Sequence, residues 1–283
     1  MRYTLFIALL LTGCSASNAI RYETAEEALT RGQEAFAEED YIDAAAYLNG
    51  VFDFGRTHQY APDAQLMLAR TRVELGEFVL AEADYQRFTQ LYRADPRVPL
   101  AEFELATVFE KQSPQYQLDQ TKTERAIDAY RLFIARYPDH EKASDAEQRI
   151  TALRGKLARK HLASGALYER REMYEAAALT YLGVFDRYPD TEWADDALLG
   201  GMRNYKLFAD LSIPSKQRER YELAITQFDR LVSVFRDSEL IPEATRLLRS
   251  VEVAMEGIDT QGDASAGAAD TAMAPDAASG ASM

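Results

Sequence analysis

Apolar residues return along this chain at intervals of three and four, in five separate blocks. Each block carries an alanine, an aromatic residue or leucine four positions on, and an apolar residue three further: Ala44-Leu48-Val51, Ala81-Tyr85-Phe88, Ala126-Tyr130-Phe133, Ala177-Tyr181-Val184 and Ala224-Phe228-Leu231. An i, i+4, i+7 spacing sets all three on one face of a helix. Three positions before each alanine stands Tyr41, Phe78, Thr123, Tyr174 or Tyr221. In the first, second and fourth blocks a small residue, Gly32, Ala69 or Gly165, precedes the alanine by twelve. That spacing leaves room for an earlier helix whose small residue lets the two approach closely. Breakers follow at Asp95-Pro96, Tyr137-Pro138-Asp139, Tyr188-Pro189-Asp190 and, without proline, Phe235-Arg236-Asp237-Ser238. Proline disfavours helix at the residue before it, so each block reads as a helix pair closed by a turn.

Successive pairs of this kind resemble the tetratricopeptide repeat, in which about 34 residues make an antiparallel helix pair and pairs stack side by side. The chain therefore reads as all-α, an α-solenoid of about five tetratricopeptide-like pairs. The blocks fall at about 25–57, 61–96, 99–139, 143–190 and 191–237, with a final helix at 241–258. The spacing is uneven, from 37 residues between Ala44 and Ala81 to 51 between Ala126 and Ala177. Insertions account for part of this, one between Glu110 and Lys122 and another between Asp210 and Gln217, each polar and containing a proline. A long central helix accounts for more: Ala146, Ile150, Leu153 and Leu157 share a face, and the pattern runs from Ala143 to Arg171. At about 1.5 Å per residue it is roughly 40 Å long. From Asp259 onward the chain holds no aromatic residue, lysine or arginine. Such a segment buries too little apolar area to offset chain entropy, so 259–283 is expected to be a disordered tail.

The N-terminus follows another logic. Arg2 precedes the apolar run Leu5-Phe6-Ile7-Ala8-Leu9-Leu10-Leu11, which is too short for a span of about 20 residues and suits a signal peptide. It ends in Leu11-Thr12-Gly13-Cys14, which resembles a bacterial lipobox and holds the only cysteine of the chain. The resemblance implies that 1–13 is removed, that Cys14 becomes a lipidated, palmitate-bearing first residue, and that 14–24 leads from lipid to fold. Several acyl chains at roughly 0.8 kcal/mol per methylene hold a protein stably where one binds marginally. An ordinary secretory signal with an accidental cysteine is the other reading. Ser15 follows the cysteine, where aspartate in many Gram-negative lipoproteins favours inner-membrane retention. Its absence points to the outer membrane.

Charge and chemistry narrow the function. A net charge of -14 opposes nucleic acid and anionic lipid, which leaves membrane attachment to the acyl anchor. His58, His140 and His161 are scattered over different blocks without metal-ligand spacing, and no nucleophile elbow, phosphate loop or dinucleotide fingerprint occurs. The sequence therefore offers no catalytic, metal or cofactor site, and no enzyme is expected.

The lipobox, five degenerate repeats and long central helix together resemble the BamD family, tetratricopeptide lipoproteins of the outer-membrane β-barrel assembly (BAM) machinery. The likeness covers about residues 14–255. It is carried by Arg87-Phe88-Thr89-Gln90-Leu91, by Asp119-Gln120-Thr121, by Phe133-Ile134-Ala135-Arg136-Tyr137-Pro138-Asp139, and above all by the run from Tyr168-Glu169-Arg170-Arg171 to Tyr188-Pro189-Asp190-Thr191. The tail lies outside the family pattern, and the third-repeat insertion is shorter than in some members. The resemblance implies a lipid-anchored scaffold on the periplasmic face of the outer membrane. Its partners would be the periplasmic domains of the barrel subunit, other BAM lipoproteins and the C-terminal signals of unfolded outer-membrane proteins. For those signals, the first helices of the N-terminal blocks would offer Leu29, Gln33, Phe36, Leu66, Arg70, Val73 and Phe103, with Thr107 beside it. Leu29, Leu66 and Phe103 read more readily as packing between neighbouring repeats, and Arg70 also reads as a solvated charge. Arg171, at the turn of the fourth block, would meet a partner carboxylate or serve as a cap. Another envelope tetratricopeptide scaffold, for division, peptidoglycan or polysaccharide export, is the alternative function.

Overall fold

The computed structural model describes residues 20–272, with side chains through 258. Cys14, the expected signal peptide and residues 273–283 lie outside that range. Among the described residues the chain is all-α: α1 (Ala25–Ala37), α2 (Tyr41–Gly50), α3 (Ala61–Glu74), α4 (Phe78–Leu91), α5 (Val98–Lys111), α6 (Thr121–Arg136), α7 (Ala143–Arg170), α8 (Tyr174–Arg187), α9 (Ala194–Asp210), α10 (Pro214–Val234) and α11 (Ile241–Ala272). Two compact units divide the chain, one through Val108 and one from Phe109.

In the first unit α1 packs on α2 and α3 on α4, with α2 also against α3. The anchor alanines Ala44 and Ala81, with Leu48, Val51, Tyr85 and Phe88, are buried. Gly32 is required at the first pair: a Cβ there would stand 2.8 Å from Leu48 Cγ. Buried Asp84 accepts hydrogen bonds from Gln65 Nε2 at 2.9 Å and Arg87 Nη1 at 2.9 Å, and pairs with Arg72. Three donors satisfy a carboxylate that would otherwise destabilise the α3–α4 seam by several kcal/mol.

In the second unit α7 packs on α8, α8 on α9, α9 on α10 and α10 on α11. Ala126, Tyr130, Phe133, Ala177, Tyr181, Val184, Ala224 and Leu231 are buried, and Phe228 is partly buried against the same core. The ring of Tyr181 lies between two glycines of different helices. A Cβ at Gly165 of α7 would come 3.0 Å from that ring, and one at Gly200 of α9, 2.9 Å. Both contacts let three helices close around one aromatic side chain.

The turns inside the pairs share a backbone device. Glu39, Gly76 and Glu172 have φ of 62°, 72° and 58°, each two residues before the second helix of its pair. Glycine takes this left-handed conformation freely, whereas each glutamate carries a cost on the order of 1 kcal/mol.

Two sequence expectations need correction. The polar stretch between Asp210 and Gln217 is not an inserted loop: three residues turn the chain, and Pro214 opens α10 at a first-turn position, where its missing N–H has no helical partner to lose. The last helix does not stop at Ile258 but runs to Ala272, so the first part of the expected disordered tail is helical backbone. Alanine is the best intrinsic helix former, and extending an existing helix needs no new nucleus.

Candidate polypeptide-binding surfaces

The structure sorts the residues expected to face a peptide. Leu29, Leu66 and Phe103 are 6%, 2% and 7% exposed, so they pack between helices and do not line a groove. Their i, i+3, i+4 positions put them on the helix face shared with the neighbouring hairpin, where burial is more favourable than exposure. Arg70, partly exposed, is engaged within the chain: it grips both oxygens of Glu104 at 2.8 to 3.1 Å. Gln33 is exposed, and Phe36 and Val73 are half-buried. Phe36 meets Tyr41 edge-on at 5.4 Å. Those three remain reachable from solvent.

The Arg70–Glu104 pair is one of three related arrangements that local sequence spacing did not reveal. The Tyr85 hydroxyl lies beside Glu104, and burial first, then that carboxylate's charge, push the phenol up from its ordinary value. In the second unit Tyr130 Oη donates to Glu110 Oε2 at 2.6 Å, and Arg149 reaches the same oxygen at 2.6 Å. Tyr181 Oη donates to Glu169 at 3.0 Å, while Arg203 holds both carboxylate oxygens at 2.7 and 3.0 Å. Burial first, then the Glu169 charge, push Tyr181 up to about 12, so its hydroxyl stays a donor. In each case a second-helix tyrosine lies against an ion pair linking first helices of adjacent pairs. The sign order differs: the arginine comes first in the chain at Arg70–Glu104 and second at Glu110–Arg149 and Glu169–Arg203.

Turn tips of the second unit carry unpacked apolar side chains. Arg171 is exposed at the α7–α8 turn, and among the described residues no carboxylate pairs with it. Met173 beside it is 48% exposed, and Leu211 and Ile213 at the α9–α10 turn are 73% and 67% exposed. Glu169, at the end of α7, binds both Tyr181 of α8 and Arg203 in the second half of α9, so the end of α7 lies beside the second half of α9. The two turns therefore share one edge of the unit. Large apolar side chains clustered at an edge mark a place where another protein can exclude water.

A trough crosses the same unit. Its wider part, about 550 Å3, lies between the α5–α6 connection, α7 and the residues before α9. A second part, about 310 Å3, continues toward Leu162, Ala166 and Arg203. Both share Tyr116, Arg159 and Trp193. The Arg159 guanidinium sits 4.4 Å from the Tyr116 ring centroid and 5.6 Å from that of Trp193. Lys156 Nζ donates to Ser113 Oγ at 2.7 Å, and Lys160 Nζ to the Leu118 carbonyl at 2.5 Å, which fastens the connection over α7. Sequence reading passed over this site. Its traces were the single tryptophan, a tyrosine inside the proline-bearing insertion, and the basic run of α7.

Stacked antiparallel helix pairs, exposed turn tips and a trough lined by side chains from several elements define a scaffold of helical-hairpin repeats. The family model described as outer membrane lipoprotein, YfiO, matches residues 21–220, and the chain belongs to that family. Among curated relatives, the outer membrane protein assembly factor BamD of Caulobacter vibrioides is 28% identical over 180 residues, covering 62% of this chain and 56% of that protein. The protein of the same name from Vibrio cholerae is 27% identical over 207 residues, covering 67% of this chain and 83% of that one. The chain thus spans little more than half of the first relative's length. A solved TPR-repeat protein from Bacteroides fragilis aligns over 81% of this chain and 98% of its own at 11% identity, with a TM-score of 0.45.

Proposed function

We propose that this chain is an outer-membrane protein assembly factor, a lipid-anchored scaffold on the periplasmic face of the outer membrane. In this reading Cys14 carries the lipid, and the second unit docks the periplasmic domains of the barrel subunit of the BAM complex. Other BAM lipoproteins assemble alongside. The first unit meets the C-terminal signals of unfolded outer-membrane proteins through its accessible first-helix residues Gln33, Phe36 and Val73. No catalytic step, cofactor or metal is assigned. The observation that carries the reading, beside family membership, is the edge formed by Arg171, Met173, Leu211 and Ile213. Unpaired guanidinium beside exposed apolar side chains matches an acidic and apolar partner surface.

The test is co-purification from solubilised membranes. The parent chain should bring down a large barrel protein with periplasmic repeats, and the Arg171→Glu, Leu211→Ser, Ile213→Ser triple variant should lose most of it while keeping its helical spectrum. Retention of the barrel protein by the folded variant refutes the edge. Recovery of peptidoglycan-bound or septal proteins instead favours a division scaffold. Cys14→Ala should leave the fold intact and free the chain from membranes once the docking edge is also removed.

A further inference from the structure

The trough in the second unit has a feature that packing does not explain. Gly155 lies in the interior of α7, a 28-residue helix, where glycine costs about 1 kcal/mol relative to alanine. At Gly165, Gly200 and Gly201 of the same unit a helical glycine is needed because a Cβ would collide, whereas Gly183 and Gly257 are not crowded in that way. A Cβ at Gly155 would meet nothing within 4 Å. The residue instead opens the floor of the wider part of the trough.

The walls differ in charge. Lys156 and Arg159 come from α7, and among the described residues neither is paired with a carboxylate, although the chain as a whole carries -14. Glu192 and Asp196 stand on the facing side. The Arg159 guanidinium carbon lies 4.4 Å from the Tyr116 ring centroid, and among the described residues no hydrogen bond engages its N–H groups, the donors with which arginine takes a carboxylate through two parallel hydrogen bonds. The trough continues on both sides of Arg159, so a bound chain passes across it rather than ending there. An extended segment points successive side chains to opposite sides, which suits one basic wall and one that is not.

We infer that this trough binds an extended internal segment of another polypeptide, with an aspartate or glutamate side chain on Arg159 and a neighbouring apolar side chain against Trp193. It is a second peptide site, apart from the first-unit surface and from the turn edge. Trp193 is the only tryptophan of the chain and reports occupancy directly.

The experiment titrates the purified full chain with synthetic peptides of alternating acidic and apolar residues, acetylated and amidated so that no terminal charge remains, and follows Trp193 emission. The acidic peptide should saturate, and its Asn/Gln counterpart should bind about tenfold more weakly, equivalent to about 1.4 kcal/mol. In Arg159→Leu that preference should vanish with the melting temperature unchanged, and Gly155→Leu should block both peptides. Equal affinity for acid and amide, or a preference that survives Arg159→Leu, overturns the inference. So does binding that demands a free C-terminal carboxylate, which would make the trough an end-capturing pocket. Because the readout uses the isolated chain, it stands or falls separately from the assembly role.

Discussion

Two glycines on α7 make opposite predictions for the same substitution. Replacing a helix-interior glycine with alanine gains about 1 kcal/mol from reduced chain entropy when the site has room. Gly155 has that room, since no atom lies within 4 Å of the position a Cβ would take. Gly155→Ala should therefore stabilise the second unit by about 1 kcal/mol. At Gly165 the same methyl would press on the Tyr181 ring at 3.0 Å. The ring cannot step aside, because Gly200 backs its other face and its hydroxyl is tied to Glu169 at 3.0 Å. Overpacking of this kind costs about 1–3 kcal/mol, so the helix gain is cancelled or exceeded and the net change is destabilising by up to about 2 kcal/mol. In a unit of this size each kcal/mol moves the melting temperature by roughly 2–4 °C. Thermal unfolding followed by Trp193 emission, which lies in the second unit, should move up for Gly155→Ala and down or not at all for Gly165→Ala. An equal rise for both would refute the argument that the aromatic clamp, and not helix propensity, fixes Gly165.

Other expectations follow from burial and charge. Ala177→Glu puts an unpaired carboxylate at a fully buried position of α8 and should cost at least about 3 kcal/mol by chemical denaturation; a variant that unfolds like the parent would show the anchor register to be wrong. Reversing Arg70 to Glu should destabilise the first unit, and adding Glu104→Arg should recover about 1 kcal/mol of the partly exposed pair, a coupling that a double-mutant cycle measures. His161 stacks on Tyr188 at 5.9 Å, and burial, then Arg187 and Lys160, hold its pKa below the ordinary value. The unfolded chain therefore protonates first as pH falls below about 6.5, so this residue's contribution to stability is full above that pH and declines beneath it. His161→Phe should flatten that part of the pH–melting curve, and an unchanged slope would remove His161 as its source.

The helix pairs were legible because their signal is local. Ala81, Ala126, Ala177 and Ala224 each sit inside one helix with their anchors, and Ala44 shares α2 with Leu48 while Val51 opens the 3-10 turn that follows, so a three-to-four period survives whatever the neighbouring hairpin does. The length of α7 was readable for the same reason, through Ala146, Leu153 and Leu157. The binding face was not, since Leu29, Leu66 and Phe103 share their period with the core and only the stacking partner decides which side is covered. Pro214 misled because the same residue that ends one helix can begin the next. The tyrosine-flanked ion pairs join positions 34 to 39 residues apart, Arg70 to Glu104 and Glu110 to Arg149 among them, and no window the length of a helix contains both partners. The trough draws on three stretches, around Tyr116, Arg159 and Trp193, that only the fold assembles.

Helix α5 contributes acid in two directions: Glu104 answers Arg70 within the first unit, and Glu110 answers Arg149 within the second. Each carboxylate thus has its own arginine on a first helix of an adjacent pair. Recombining hairpins from such arrays, by evolution or by design, is then constrained at α5. A graft that brings an arginine-bearing helix into the α5 slot would set like charges against a neighbour, whereas an acidic replacement would seat on either side.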